Sequence, residues 1–327
     1  MAKVLITGIA GFIGSSLARV LLGEGATVRG IDDLSTGDPT NLLAIKNEID
    51  FRHGSILDAE AINDACRDVD YVFHEAAIPS VPMSVADPIG TNGPNLNGTL
   101  MVLEAARKAQ VKRLVYAASS AAYGDSPELP KTEIMLPSPI SAYAVQKLAG
   151  EHYLASYTRM FGLETVSLRY FNVFGPRQDP TSQYSGVLAR FISLMSKGET
   201  PVIFGDGSTS RDFVYIDNVV SANLLAAKTN APVAGRVFNV ATGQRTTLLE
   251  AFEEIKQITG YVGSMEFRPE RNGDIRHSLA DISSAQNLLG YRVLADFRYG
   301  LKQTIKWHRE QTGQSPDVVE SAFALRT

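Results

Sequence analysis

Tyr143 and Lys147 stand four residues apart in the heptapeptide SAYAVQK, residues 141–147. In a helix that spacing puts both side chains on one face, where they can act together. A free phenol, with a pKa near ~10, is a poor base at neutral pH. A neighbouring ammonium favours the phenolate and brings a tyrosine into the range useful for general acid–base catalysis. An arbitrary Y-x-x-x-K is more often a half-buried tyrosine beside a solvated lysine, so the pair needs support from elsewhere in the chain. YAASSAAYG (116–124) supplies it: a β-like run delivers Ser119 and Ser120 to the carboxyl edge of a sheet, where open α/β sheets bind their ligands. A serine hydroxyl there can hold the oxygen that the tyrosine deprotonates.

A second chemistry-bearing stretch is TGIAGFIG (7–14), with Gly8, Gly11 and Gly14 between an apolar run and a helical pattern. In such a turn the first glycine permits the sharp bend and the second lets backbone approach a pyrophosphate. The third lets strand and helix pack closely, with the anion at the helix N-terminus. The spacing is G-x-x-G-x-x-G rather than G-x-G-x-x-G, and glycines alone would be weak. Asp32, 18 residues beyond Gly14, ends the next β-like run, where a carboxylate can accept from ribose hydroxyls. Together they indicate dinucleotide binding, and a carboxylate at that place disfavours a 2′-phosphate, hence NAD over NADP. The positive nicotinamide ring would be a further reason for Tyr143 to ionise.

The elements that must position these residues follow from periodicity. KVLIT, TVRGID, IDFRHGS, DYVFHEAA and KRLVYAASS alternate with helical patterns through residue 120, which predicts a doubly wound parallel α/β sheet of Rossmann type. SAYAVQKLAGEHYLASYTRMFG (141–162) reads as a long helix with Ser141 as N-cap and Gly162 as its stop. Beyond about residue 175 the pattern breaks into Pro/Gly-punctuated loops. We therefore expect a dinucleotide-binding domain over 1–171, to which strands from about 213–241 return, and a smaller, interleaved substrate domain from 172–212 and 242–327.

The 327 residues are 44% hydrophobic and 20% charged, with a net charge of −4. No run of like charges marks a nucleic-acid or membrane surface, so a small-molecule partner is favoured. Cys66 is the only cysteine and the five histidines lack ligand spacing, so neither an internal disulfide nor a metal centre is expected. MAKVLITG opens on a β-like run with no apolar stretch suited to a signal peptide or membrane span, and a cytoplasmic location is the expectation.

At this point the sequence resembles the extended short-chain dehydrogenase/reductases, and among them the NAD-dependent UDP-sugar 4-epimerases. The resemblance runs in order through TGIAGFIG, HEAA, NLNGT, SSAAYG, YAVQK, RYFNVFGPRQDP, GDGSTSRDFVYIDN and RNGDIRHSLAD. It implies that Tyr143 is the base, that Lys147 holds the nicotinamide ribose and tunes the tyrosine, and that Ser119, with Ser120 beside it, binds the reacting hydroxyl. The implied NAD contacts are Gly8, Gly11, Phe12, Ile13, Asp32, Asp33, Ser35, Thr36 and Gly37, with Ala76, Ala77 and Asn95 near the cofactor. Ser55 stands where the family usually has an aspartate touching adenine, and Ile56 would flank the ring. Asn172, Arg211, Arg271 and Asp274 are implied nucleotide-sugar contacts, the arginines offering forked donors to the diphosphate. A homodimer formed through the helices at 97–110 and 141–162 is implied as well.

The resemblance also bears on the reaction. A dehydratase of this kind carries an Asp-Glu pair after the active-site hydroxyl; here the stretch is Ser120-Ala121-Ala122, so dehydration is disfavoured. A UDP-glucuronate decarboxylase or epimerase needs no such pair, and a non-catalytic sensor would not need Ser119, Tyr143 and Lys147 together. Ser278 falls at the family's pocket gate, where a tyrosine restricts the site to plain hexoses and a small residue admits a 2-acetamido group. Ser80 and Val81 agree weakly. The expected substrate is thus UDP-N-acetylglucosamine, with UDP-glucose and UDP-galactose as further ones; the alternative is an epimerase largely confined to those two hexoses.

Overall fold

The computed structural model describes residues 2–180, 186–270 and 275–313. The first half builds β1 (Lys3–Thr7), α1 (Phe12–Gly23), β2 (Thr27–Asp32), β3 (Ile49–His53), α2 (Ala59–Ala65) and β4 (Tyr71–His74). Two short helices, α3 (Val81–Ala86) and α4 (Pro88–Asn92), then lead through a π-helical turn, Gly93–Gly98, into α5 (Thr99–Lys108). β5 (Arg113–Ser119), α6 (Ala142–Phe161) and β6 (Glu164–Tyr170) complete the run. β1 to β6 lie parallel in one sheet, in the order β6-β5-β4-β1-β2-β3. The chain leaves β1 in one direction and returns to its other side at β4, so the switch point falls between β1 and β4, the place where such sheets bind ligands.

The period-two alternation of the strands sorts the core. Val4 and Ile6 pack on one face with Phe73, Val115, Val166 and Leu168. Leu5 packs on the other with Val72, Leu114 and Tyr116. Both faces are covered by helices, which is why these strands read as continuous apolar runs. Each fully buried aliphatic side chain contributes about 1.5–3 kcal/mol.

The second half contains β7 (Asn172–Phe174), α7 (Val187–Ser196), β8 (Val202–Phe204), β9 (Ser210–Arg211), β10 (Phe213–Tyr215), α8 (Ile216–Lys228), β11 (Arg236–Val240), β12 (Thr246–Thr247), α9 (Leu248–Thr259), β13 (Glu266–Arg268), α10 (Ser283–Leu289) and α11 (Phe297–Gln311). β11 joins the large sheet beside β6 as its seventh strand. The FVYI segment does not: β10 pairs in parallel with β7 in a separate two-stranded sheet. The correction has a physical cause, since β11 occupies the open edge of β6 and leaves no further edge there for β10.

Asp212 anchors this half. Its fully buried carboxylate accepts from the backbone N–H groups of Thr242, Gly243 and Ala280 and from the Thr242 hydroxyl. Burial pushes its pKa up while those bonds pull it down. No helix among the described residues is long and apolar enough to cross a membrane.

Candidate active site

Tyr143 and Lys147 are placed by how α6 begins. Ser141 caps it, its hydroxyl accepting from the Ala144 N–H at 3.2 Å, and the backbone N–H of Tyr143 donates to Ser84 of α3 at 3.0 Å. At the far end Gly162, at φ +71°, closes the helix in the left-handed conformation that suits glycine. Tyr143 is partly buried and Lys147 almost wholly so, while Val145 between them faces out. The two therefore share the inner face, as their spacing requires.

Ser119, the last residue of β5, lies close enough to the Tyr143 phenol to favour its ionised form. It also accepts from the Ala121 N–H at 3.2 Å, which fixes its rotamer. Ser120 begins the short 3₁₀ turn that follows. The phenol is raised above its ordinary pKa by burial, and the nearby Ser119 hydroxyl works against that shift. Lys147 does not point at the phenol: its ammonium donates to the Ala117 carbonyl at 2.8 Å and lies 4.8 Å from the Tyr116 ring centroid. Burial brings the lysine down to about 8, with Glu75 and Glu151 pulling it back up.

The glycine turn has the shape the sequence requires. Gly8 sits at φ +70°, and a Cβ there would meet the Ala76 backbone at 2.8 Å. A Cβ on Gly14 would come 2.2 Å from the Gly8 carbonyl oxygen. Gly11 is the N-cap of α1 and offers no capping side chain, and Phe12 and Ile13 open the helix, so the first-turn N–H groups lie at a helix start suited to an anion. The residues thus fit a dinucleotide. Gly14→Ala should lose dinucleotide retention and destabilise the fold by about 1–3 kcal/mol, the usual cost of overpacking; cofactor content after gel filtration and a urea titration check both.

Asp32 ends β2 as expected, but both its oxygens already serve the protein. Oδ2 accepts from the Ala10 N–H at 2.8 Å and Oδ1 from the Leu34 N–H at 2.9 Å. Each oxygen keeps a second lone pair for a ribose hydroxyl. Gly37 presses on this carboxylate, while Asp33, Ser35 and Thr36 are exposed. Asp33 accepts from the Ser35 N–H.

Several candidate residues turn out to hold structure. Asn95 is fully buried: Oδ1 accepts from the Ile78 N–H, and Nδ2 donates to Ile78 O and to Gln146 of α6. It therefore shapes the Ala76–Ala77–Ile78 loop and leaves no amide proton for a ligand. Ser80 is buried, and its hydroxyl caps α3 by accepting from the Met83 N–H; Val81 beside it is exposed. Ile56 is buried, close beneath Gly98. Ser55 Oγ accepts from the Leu57 N–H at 3.3 Å.

In the second half, Asn172 is exposed at the start of β7, and Arg211 donates to the carbonyls of Ser210 and Arg276. Ser278 N–H donates to Ser210 O at 3.0 Å. The Ser278 hydroxyl is buried and without a hydrogen-bond partner among the described residues. Arg271 and Asp274 lie outside those residues.

Two groups escaped sequence reading. His74 is fully buried and neutral, driven down to about 3 by burial. Thr99 Oγ1 donates to Asn95 O, so it must accept from the imidazole, which assigns the proton to Nε2. Nδ1 then accepts from Thr7, whose oxygen takes the Ala76 N–H. This chain ties the loop beside Gly8 to α6 through Asn95 and Gln146. The second group is Glu75, partly buried beside Lys147. No cluster among the described residues could hold a metal ion.

Comparison with known proteins follows this geometry closely. The model of the NAD dependent epimerase/dehydratase family matches residues 4–241. The UDP-glucose 4-epimerase of Mycolicibacterium smegmatis is 38% identical over 314 residues, 95% of this chain and 99% of its own. The crystal structure of the Thermotoga maritima UDP-glucose 4-epimerase with UDP-glucose superposes with a TM-score of 0.90 at 39% identity, over 95% of this chain and 99% of that one. The UDP-N-acetylglucosamine 4-epimerase from Methanobrevibacter ruminantium M1, in complex with UDP-N-acetylmuramic acid, gives the same TM-score, identity and coverage.

Proposed function

The chain belongs to the NAD dependent epimerase/dehydratase family, and from that premise we propose that it is a UDP-sugar 4-epimerase acting foremost on UDP-N-acetylglucosamine and also on UDP-glucose and UDP-galactose. The observation that carries the reading is the placing of Ser119, at the carboxyl edge of the sheet, beside the Tyr143 phenol, one helical turn from Lys147. Bound NAD would supply the hydride chemistry at C4, oxidation to the 4-keto sugar and its reduction from the opposite face. Tyr143 removes the C4 hydroxyl proton and later returns it; Ser119 holds that oxygen. Lys147 carries the positive charge that favours the phenolate and binds the nicotinamide ribose.

Because Tyr143 is raised by burial in this structure, its activation depends on the positive charge of bound NAD as well as on Lys147. The turn of Gly8, Gly11, Phe12 and Ile13, with Asp32 and its loop, would hold the dinucleotide, and Asn172, Arg211, Arg271 and Asp274 the nucleotide sugar. The division into a dinucleotide domain and an interleaved substrate domain belongs to the same reading.

The N-acetyl preference rests on Ser278. Its hydroxyl faces packed protein rather than open cleft, so the residue acts by being small, not by hydrogen bonding. An epimerase confined to the plain hexoses is the second reading, favoured by the likeness to the M. smegmatis and T. maritima UDP-glucose 4-epimerases. Incubating purified protein with UDP-N-acetylglucosamine and UDP-glucose separately, with no added cofactor, should yield both 4-epimers, the N-acetylated one at least as fast. No 4-epimer from either sugar, even with NAD supplied, would overturn the function. Conversion of UDP-glucose alone would select the second reading.

We also propose a homodimer built on α5 and α6. Val145, Tyr153 and Met160 of α6 recur at seven- to eight-residue spacing and are exposed, with Phe161 beside them, an apolar stripe that a second copy would cover.

A further inference from the structure

Glu75 has no task in the reaction above, yet it is built into the site. Its N–H donates to Thr7 O at 3.2 Å, which seats it in the crevice between β1 and β4. The Glu75–Ala76 backbone presses on Gly8 of the dinucleotide turn. Its carboxylate accepts from the Tyr170 hydroxyl at 2.9 Å, and that hydroxyl accepts from Asn223 Nδ2 at 2.7 Å. Asn223, fully buried, is fixed in turn by its bond to Val219 O. Tyr170 stands in register with Ser119 on the neighbouring strand, so the acid is aimed by the strand next to the reacting serine.

The charges around it are few. From α6 it faces Lys147, and from β6 the Tyr170 hydroxyl. Glu151, one turn beyond Lys147, is engaged by Nε and Nη2 of Arg169 at 2.9 and 2.7 Å, and its pull on Lys147 ranks behind that of Glu75. His74, its neighbour in sequence, is neutral. Lys147 is 3% exposed, and an ammonium so buried needs an anion to remain charged.

We propose that Glu75 is a positioning residue that acts through Lys147: its carboxylate, aimed by Tyr170, supplies the negative charge that keeps the buried lysine an ammonium. Burial and charge act in the same sense as the geometry. Burial pushes the Glu75 carboxyl up to about 7, with Tyr170 and Lys147 pulling it down. Lys147 is brought down to about 8 by burial and held up by Glu75 first and Glu151 second. The two groups thus form a coupled pair that titrates close to neutral pH.

The proposal rests on Lys147 serving Tyr143, and its test is separable from that reading. Glu75→Gln keeps the shape, and the amide oxygen still accepts from Tyr170. Without the carboxylate, Lys147 loses its proton at lower pH, so the alkaline limb of kcat/KM should move acidward by about one pH unit, the size a single buried neighbouring charge produces. Tyr170→Phe removes the bond that favours ionised Glu75 and should move the limb the same way by less. A merely structural glutamate would lower rates without moving the limb, and that outcome overturns the proposal. Full turnover in Tyr143→Phe would instead overturn the parent reading.

Unfolding of the unliganded protein gives a second readout. The folded pKa of Glu75 is raised from 4.5 to about 7, so the stability it contributes is complete below pH 4.5 and is lost as pH rises through 7. Glutamine escapes that loss, and the Tm of Glu75→Gln relative to the native protein should climb between pH 5 and pH 8. A Tm difference that is flat across that range counts against a titrating Glu75 and sinks the proposal.

Discussion

Tyr143→Phe should lower turnover of either UDP-sugar by about 10²–10⁴-fold, the contribution of a general acid–base group, while the protein still carries its NAD. The reasons for expecting so clean a loss lie in how little else the phenol does. α6 is started by the Ser141 cap and by the Tyr143 backbone N–H on Ser84, neither of which involves the ring hydroxyl. Ser119 keeps the Ala121 N–H, so the end of β5 stays in place. Cofactor content, read after denaturation, and kcat for both sugars check the expectation. A phenylalanine variant with near-native turnover would mean that another group takes the C4 proton.

The comparison with Lys147→Ala is informative because the two side chains differ in what they hold. The ammonium donates to Ala117 O and lies over the Tyr116 ring, so its removal disturbs the β5–α6 contact as well as the charge. A loss in that variant mixes fold and chemistry. The tyrosine variant isolates the proton.

Much of this site was legible from local pattern because its parts are local. The inner face shared by Tyr143 and Lys147 follows from helical period, the Ser141 and Gly162 ends from capping chemistry, and the glycine turn from the backbone conformation that Gly8 must adopt. What escaped is what the chain assembles over long separations. Glu75 meets Tyr170 across 95 residues, and Asn95 meets Gln146 across 51; no window of sequence contains either pair. The π-helical turn at Gly93–Gly98 serves that second contact, turning Asn95 inward toward Ile78 and α6. The Ser80 cap has its own signal in SVPMSV, a serine followed at the second helical position by proline, which marks an N-cap. FVYI read as a strand of the large sheet because a buried strand looks alike in any sheet; only β11, filling the edge of β6, decided against it.

Ser278→Tyr should suppress conversion of UDP-N-acetylglucosamine by about 10–200-fold in kcat/KM, the range a steric change in a pocket produces, and leave UDP-glucose within about threefold of native by the same measure. The backbone here cannot drift to accommodate a larger residue. Ser278 N–H is bonded to Ser210 O, Lys131 N–H to Leu279 O, Asp281 N–H to Lys131 O, and Ala280 N–H to Asp212. The side of Ser278 that holds its hydroxyl is packed, since that atom has no exposure to solvent. A tyrosine ring therefore has no room on that side and, turned the other way, would take the space of a 2-acetamido group but not that of a 2-hydroxyl. Parallel kinetics on the two sugars test this directly. Equal losses on both would show a damaged strand rather than a gate, and equal retention would move the choice of sugar to another residue.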